Sequence, residues 1–107
     1  MTTAKRFKKL SAFIGSNNET GEVDIETIKD GLKQFGFAGY TMIKATGYWQ
    51  RVAENSINLI VYEYTDLNMN VTIDLNFKSL MEYLCKELDQ FEIWYTITEE
   101  TVLIAKK

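Results

Sequence analysis

The sequence contains no histidine, no proline and a single cysteine, Cys85. Without histidine the usual zinc ligand sets are missing, and every serine–histidine or cysteine–histidine pairing is excluded as a nucleophilic centre. One cysteine rules out a disulfide framework and fits a reducing compartment, expected to be the cytoplasm. Cys85 falls within a helical apolar pattern, where a lone thiol behaves as a small buried apolar side chain. An excess of positive charge is missing too: 12 lysines and arginines face 15 aspartates and glutamates, for a net charge of −3 and a pI near 4.9. Such a chain offers no positive field to a phosphate backbone, so no nucleic-acid partner is expected. The basic residues Lys5, Arg6, Lys8 and Lys9 precede an apolar run of five residues, 10–14. That run is too short for the core of a signal peptide or for a membrane span, so no membrane partner is expected and a soluble, intracellular protein is.

The 107 residues are enough for one hydrophobic core, and they read as one domain over 1–107. A site larger than that surface would need a second subunit. Apolar residues make up 46% of the chain and charged residues 25%, an ordinary globular balance that argues against disorder. No internal repeat or low-complexity linker interrupts it.

Residues 8–14 read as a strand, with the basic cluster as a solvated lead-in, and 15–21 as a loop of turn-forming residues. Asp24 offers an N-cap, Ile25, Ile28, Leu32 and Phe35 recur at helical spacing, and Gly36 follows where a left-handed cap belongs, so a helix is predicted over 24–35. Residues 40–48 and 57–64, rich in aromatic and β-branched side chains, read as a hairpin connected by the polar segment 50–56. After an ambiguous stretch at 68–74, Phe77, Leu80, Met81, Leu84 and Leu88 mark a second helix over 75–89. Residues 93–97 and 101–105 each alternate as strands, with Thr98, Glu99 and Glu100 between them as a tight turn.

The resulting order is an α+β, ferredoxin-like βαββαβ sandwich: an antiparallel sheet with two helices on one face and an extra C-terminal strand. The other face then lacks a cover. Tyr62, Tyr64, Trp94 and Tyr95 lie on strands, and neighbours such as Trp94 and Tyr95 point to opposite faces, so at least one aromatic points away from the helices. Single exposed aromatics are tolerable, but subunit association covers such a face more completely.

The segment 45–56 gathers a glycine, two adjacent aromatics, an arginine, a carboxylate and a hydroxyl near one hairpin end. Such residues serve solubility on many surface hairpins. Here Thr46, Gly47, Tyr48 and Trp49, followed by Glu54, Asn55 and Ser56, resemble the pattern Gly-x-aromatic-x-x-x-x-Glu-x-Ser/Thr of small bacteriophage enzymes that degrade S-adenosylmethionine, the SAM lyases, long called SAM hydrolases. The stretches 13–20 and 87–95 also resemble segments of that family. The resemblance implies a trimer of the nitrogen-regulatory PII type, with ligand in clefts between subunits and S-adenosylmethionine as substrate. It implies that Glu54 is the catalytic carboxylate, that Trp49 lines the ligand with Tyr48 as the alternative, and that Ser56 completes the motif. Ser16, Asn17 and Tyr62 are further candidates because strand ends and loops of this fold meet at subunit junctions. Arg51 departs from the pattern, which has a small residue, often glycine, at that position. A cation there either obstructs the cleft or points outward.

S-adenosylmethionine carries two cationic groups, a sulfonium and an α-ammonium, which suit an aromatic cleft with an acidic residue. Its sulfonium is an activated leaving group, and its own carboxylate can attack the γ-carbon, giving homoserine lactone and methylthioadenosine. No cofactor, metal or histidine is required. Because charge neutralises along this path, a carboxylate aimed at the sulfonium would favour the reactant, so Glu54 is expected to hold the α-ammonium. The alternatives are hydrolysis with Glu54 as general base, a PII-like module that binds adenine nucleotide or S-adenosylmethionine without catalysis, and a phage inhibitor of a host protein, acting in the host cytoplasm.

Overall fold

The computed structural model describes residues 1–17, 19–65 and 70–107. The elements are β1 (Thr2–Gly15), α1 (Ile25–Gln34), β2 (Thr41–Trp49), β3 (Val52–Tyr64), α2 (Asn70–Glu87) and β4 (Trp94–Ala105). The sheet order is β2-β3-β1-β4 and every neighbouring pair is antiparallel. This is the expected ferredoxin-like arrangement, with corrections at four places.

Among the described residues the sheet has four strands and no extra C-terminal one. Thr98, Glu99 and Glu100 form no turn; they lie in mid-strand opposite Lys9, Lys8 and Phe7. Cross-strand charge pairing accounts for this: Arg6 meets Glu99 at 3.2 Å and Lys9 meets Glu100 at 3.9 Å, so residues with weak intrinsic strand preference find partners across the ladder. The same pairing draws the basic lead-in into β1, which starts at Thr2 rather than near residue 8, in register with Ala105.

The connection between β2 and β3 is two residues, Gln50 and Arg51, at φ 48° and 68°. This is the pair of positive φ angles that a type I′ hairpin turn needs. β3 therefore begins at Val52, and Glu54 and Ser56 stand on a strand rather than in a loop. Helix α2 starts at Asn70 rather than near 75, and Ile73 from its first turns joins the core. Residues 68 and 69 of the ambiguous stretch, and residue 18 of the expected loop, lie outside the described residues.

The core lies between the sheet and the helices. Leu10, Ala12 and Ile14 of β1 and Leu59 and Val61 of β3 meet Ile28 and Leu32 of α1 and Phe77, Leu80 and Leu84 of α2, all fully buried. Each large apolar side chain so buried contributes about 1.5–3 kcal/mol before entropy is counted. Cys85 is half-buried rather than fully buried; it packs against the same cluster, and that burial pushes its thiol pKa up. Asp24 caps α1 by accepting from the Thr27 N–H at 3.1 Å. Gly36, at φ 82°, closes α1 with the Phe37 N–H donating to the Leu32 carbonyl at 2.8 Å. Helix α2 ends the same way on a non-glycine: Asp89 takes φ 52°, and the Gln90 N–H donates to the Cys85 carbonyl at 2.9 Å. Among the described residues no helix is long and apolar enough to cross a membrane.

On the open face, Phe13 and Trp94 are opposite each other in register, and Ile43, Trp49, Tyr62 and Tyr64 lie exposed on the neighbouring strands. Tyr95, opposite Ala12, belongs to the helix side. The expected split of these two neighbours across the sheet is therefore present.

Candidate functional site

One glycine makes room for a carboxylate, and a second lies alongside it. Gly15 ends β1 opposite Ser56, and Gly47 on β2 is opposite Glu54; directly paired residues share a face, so all four lie on the open side of the sheet. A methyl group added at Gly15 would stand 3.1 Å from Glu54 Oε1, and one at Gly47 would stand 3.7 Å from Glu54 Cγ and 3.8 Å from Ser56 Oγ. The Glu54 side chain thus lies across a notch at Gly15, where an added side chain would crowd its carboxylate, with Gly47 alongside at ordinary contact distance. Gln90 closes the same corner. Its Oε1 would be 3.6 Å from that methyl at Gly15, and its Nε2 donates to the Ser16 carbonyl at 3.4 Å.

The open-face cleft around Glu54 has a volume of about 620 Å³ and is bordered by Phe13, Tyr48, Trp49, Ser56, Glu92 and Trp94, among others. Trp94 donates its indole N–H to Glu92 Oε1 at 3.1 Å. No lysine or arginine borders the cleft, and none of the ion pairs among the described residues involves Glu54. A second hollow of about 640 Å³ shares the Trp49 and Glu54 wall and is bordered by Ser16, Asn17, Gln50 and Asn55, among others.

Of the residues singled out in the sequence, Glu54, Trp49, Tyr48 and Ser56 meet at the first cleft. Trp49 is on the open face by its pairing with Val52, whereas Tyr48, paired with Ala53, comes off the other face while still bordering the cleft. Ser16 and Asn17 lie at the second hollow. Ser16 is buried, and the Asn17 side-chain oxygen accepts from the Glu19 and Thr20 N–H groups at 2.7 and 3.2 Å, so it shapes its own loop. Asn55 ties the hairpin to that loop by donating to the Gly21 carbonyl at 2.9 Å.

Tyr62 is elsewhere. It is eight residues from Glu54 along β3, about 26 Å at strand rise, with its ring edge-on to Phe7, Lys9 over its face and its hydroxyl 3.4 Å from Glu100. Within one chain it does not meet Glu54. Arg51 is exposed at the hairpin tip and borders neither hollow.

Sequence reasoning missed Gln90, Glu92 and Trp94 as neighbours of Glu54. Gln90 is turned toward Gly15 by a helix cap built on Asp89, which a search for glycine overlooks. Glu92 is placed by Trp94, and the register of Trp94 with Phe13 depends on β4 being continuous.

No family model and no curated relative matches the chain by sequence. Solved structures do match by shape. A phage SAM lyase in its apo state superposes with a TM-score of 0.71 at 18% identity, covering 94% of this chain and 90% of the other. A phage SAM lyase in complex with S-methyl-5′-thioadenosine gives 0.65, again at 18% identity with 94% and 90% covered. The nitrogen-regulatory PII-like protein CPII from Thiomonas intermedia K12, bound to ADP, AMP and bicarbonate, gives 0.60 at 16% identity, covering 94% and 96%. The chain has the PII-like fold. Phage SAM lyase shares it, and the βαββαβ order and four-stranded antiparallel sheet are those of these neighbours.

Proposed function

We propose that this protein cleaves S-adenosylmethionine by intramolecular displacement, as a lyase, in a cleft completed by a neighbouring copy of the chain. The observation that carries the reading is the Glu54 carboxylate, laid across the notch at Gly15 without an ion-pair partner and facing an aromatic cleft that no cation borders. Such a cleft suits a ligand with a sulfonium and an ammonium. The same cleft is poorly suited to the phosphates of an adenine nucleotide, which counts against the nucleotide-sensing alternative despite the likeness to CPII.

In the proposed step the substrate carboxylate oxygen forms a bond to the γ-carbon while the bond from that carbon to sulfur breaks. The electron pair passes to sulfur. The products are homoserine lactone and neutral methylthioadenosine, and no proton need be transferred. The protein's task is alignment: carboxylate, γ-carbon and sulfur must be in line, and holding them so supplies much of the acceleration. Glu54 fixes the α-ammonium and leaves the substrate carboxylate free, because no lysine or arginine of the same chain borders the cleft to capture it. Trp49 lies over the ligand, and Ser56 supplies a hydroxyl beside Glu54.

Exposed Phe13, Trp49 and Trp94 on the open face motivate the second copy; a trimer is the proposed assembly. Residues such as Tyr62, distant from Glu54 within a chain, then have a route to a neighbour's cleft.

The test is incubation with S-adenosylmethionine and chromatography for methylthioadenosine, with lactone against free homoserine separating the lyase from a hydrolase. Glu54→Gln should reduce turnover at least tenfold to a hundredfold, the loss of one charge-assisted hydrogen bond that aligns the reactant, with little change in melting temperature. A wild-type protein that makes no methylthioadenosine, or a Glu54→Gln variant as active as wild type, would overturn the reading.

A further inference from the structure

We infer that Glu92, held by Trp94, makes the cleft discriminate between the two charge states of the ligand's sulfur, binding the cationic form more tightly than the neutral thioether. This rests on the function proposed above. It concerns a different pair of residues from the notch that holds Glu54.

The cleft has more acid than an ammonium alone would use. Glu54 and Glu92 both border it, and no lysine or arginine offsets either. Glu92 is not a loosely placed surface glutamate. Ile93 beside it is anchored in the core, Trp94 is fixed on the open face opposite Phe13, and the Trp94 indole donates to Glu92 Oε1 at 3.1 Å. The carboxylate is therefore presented at the open face together with Trp94, a residue that is 72% exposed. Carboxylate and π-face both favour a cation, and both lose that preference when the cation becomes neutral.

The proposed reaction makes that change on sulfur. Before the step sulfur bears a positive charge; after the carbon–sulfur bond breaks, it is a neutral thioether. Glu92 therefore stabilises the substrate complex and not the product complex. It also stabilises the substrate more than the transition state, in which the charge is already fading, so its contribution appears in binding and in product departure rather than in the chemical step. Glu54 acts on the α-ammonium, whose charge is unchanged in the step, so its contribution to turnover is alignment of the reacting atoms, and its removal lowers kcat.

Binding can be measured without turnover by two uncleavable analogues. Sinefungin carries an ammonium-bearing carbon in place of the methylsulfonium, and S-adenosylhomocysteine carries a neutral thioether at the same place. Calorimetry of wild type and Glu92→Gln with both ligands should show the preference for sinefungin falling about twofold to fivefold in the variant, the range expected for one exposed charge pair. With S-adenosylmethionine, Glu92→Gln should raise KM while kcat holds or rises. Trp94→Phe keeps an aromatic ring but frees the carboxylate, and should shift the preference in the same direction by a smaller factor. An unchanged preference in Glu92→Gln, or a fall in kcat with KM unaltered, overturns the role of Glu92 and leaves the proposed function standing. Failure of both analogues and S-adenosylmethionine to bind wild type overturns both.

Discussion

Adding one methyl group at Gly15 tests the site without removing any functional side chain. Gly15 lies in β1, paired with Ser56, and its φ is outside the left-handed region, so alanine can take its backbone conformation. Replacing a strand glycine with alanine lowers the entropy of the unfolded chain and stabilises by about 0.5–1 kcal/mol, which corresponds to a melting temperature roughly 2–8 °C higher in a domain of this size. The new Cβ, however, would stand 3.1 Å from Glu54 Oε1, inside ordinary contact distance, and 3.6 Å from Gln90 Oε1. Glu54 must give way by a few tenths of an ångström, and its carboxylate is the flexible partner. Since a misplacement of about 1 Å can cost around a hundredfold in an aligned reaction, the smaller shift should cost about fivefold to tenfold. Gly15→Ala should therefore melt no lower than wild type while forming methylthioadenosine about fivefold to tenfold more slowly. Turnover within twofold of wild type would mean that the carboxylate above Gly15 is not the group the reaction uses. A melting temperature well below wild type would refute the description of Gly15 as an ordinary strand position.

Other substitutions test the turn, a cap and a buried charge. Arg51→Gly relieves a positive φ and should stabilise by about 1 kcal/mol in thermal melts, with turnover unchanged; a large loss of turnover would make Arg51 a substrate contact. The Thr27 hydroxyl and N–H bonds to Asp24 hold its carboxyl below its ordinary pKa of 3.8, so the extra stability from its charge is present above that pH and lost as pH falls through the lowered value. Asp24→Asn keeps a capping oxygen, so its melting temperature should lie slightly below wild type at pH 7 and converge with it as the pH falls through that lowered value. Lys8 and Asp74 meet at 2.7 Å with side chains 10% and 45% exposed. Asp74→Ala leaves the buried ammonium with only Glu99, 4.0 Å away, and should cost about 1–3 kcal/mol in urea unfolding, whereas Lys8→Met leaves only a half-solvated carboxylate and should cost less than that; equal costs would refute the asymmetry.

Helix α1 was legible because its signals are local: a capping aspartate, apolar residues three and four apart, and a glycine at the end. β4 was not, because the partners that keep Glu99 and Glu100 in a strand are Arg6, Lys8 and Lys9, more than ninety residues away in sequence. The hairpin misled for a related reason. Its turn uses Gln50 and Arg51 at positive φ without the asparagine or glycine that usually marks such a turn, so a polar strand segment read as a loop. Ile73 stands four residues before Phe77, at helical spacing, but the β-branched Thr72 and Ile73 weaken the helix signal at the start of α2. At the site, the motif around Glu54 led to four residues that do meet there, while Gln90 and Glu92 follow from a cap and a strand register that exist only in three dimensions.

Placing Glu54 on a strand links the proposed chemistry to assembly. β1 and β3 pair only from Gly15 and Ser56 inward, so the hairpin from Thr46 to Asn55 extends beyond the main sheet as two strands. A two-stranded ribbon alone is marginally stable in water. This one is tied back by Asn55 to the Gly21 carbonyl, and by Glu54 packing over Gly15. Its tip meanwhile leaves Trp49 and Val52 each 68% exposed. A rigid carboxylate is what an aligned displacement needs, and the ribbon that carries it lacks a cover on its open face. A neighbouring subunit seated against Trp49 and Val52 would supply that cover and close the cleft in the same contact, so the residues that would join the proposed trimer would also steady the ribbon that carries Glu54.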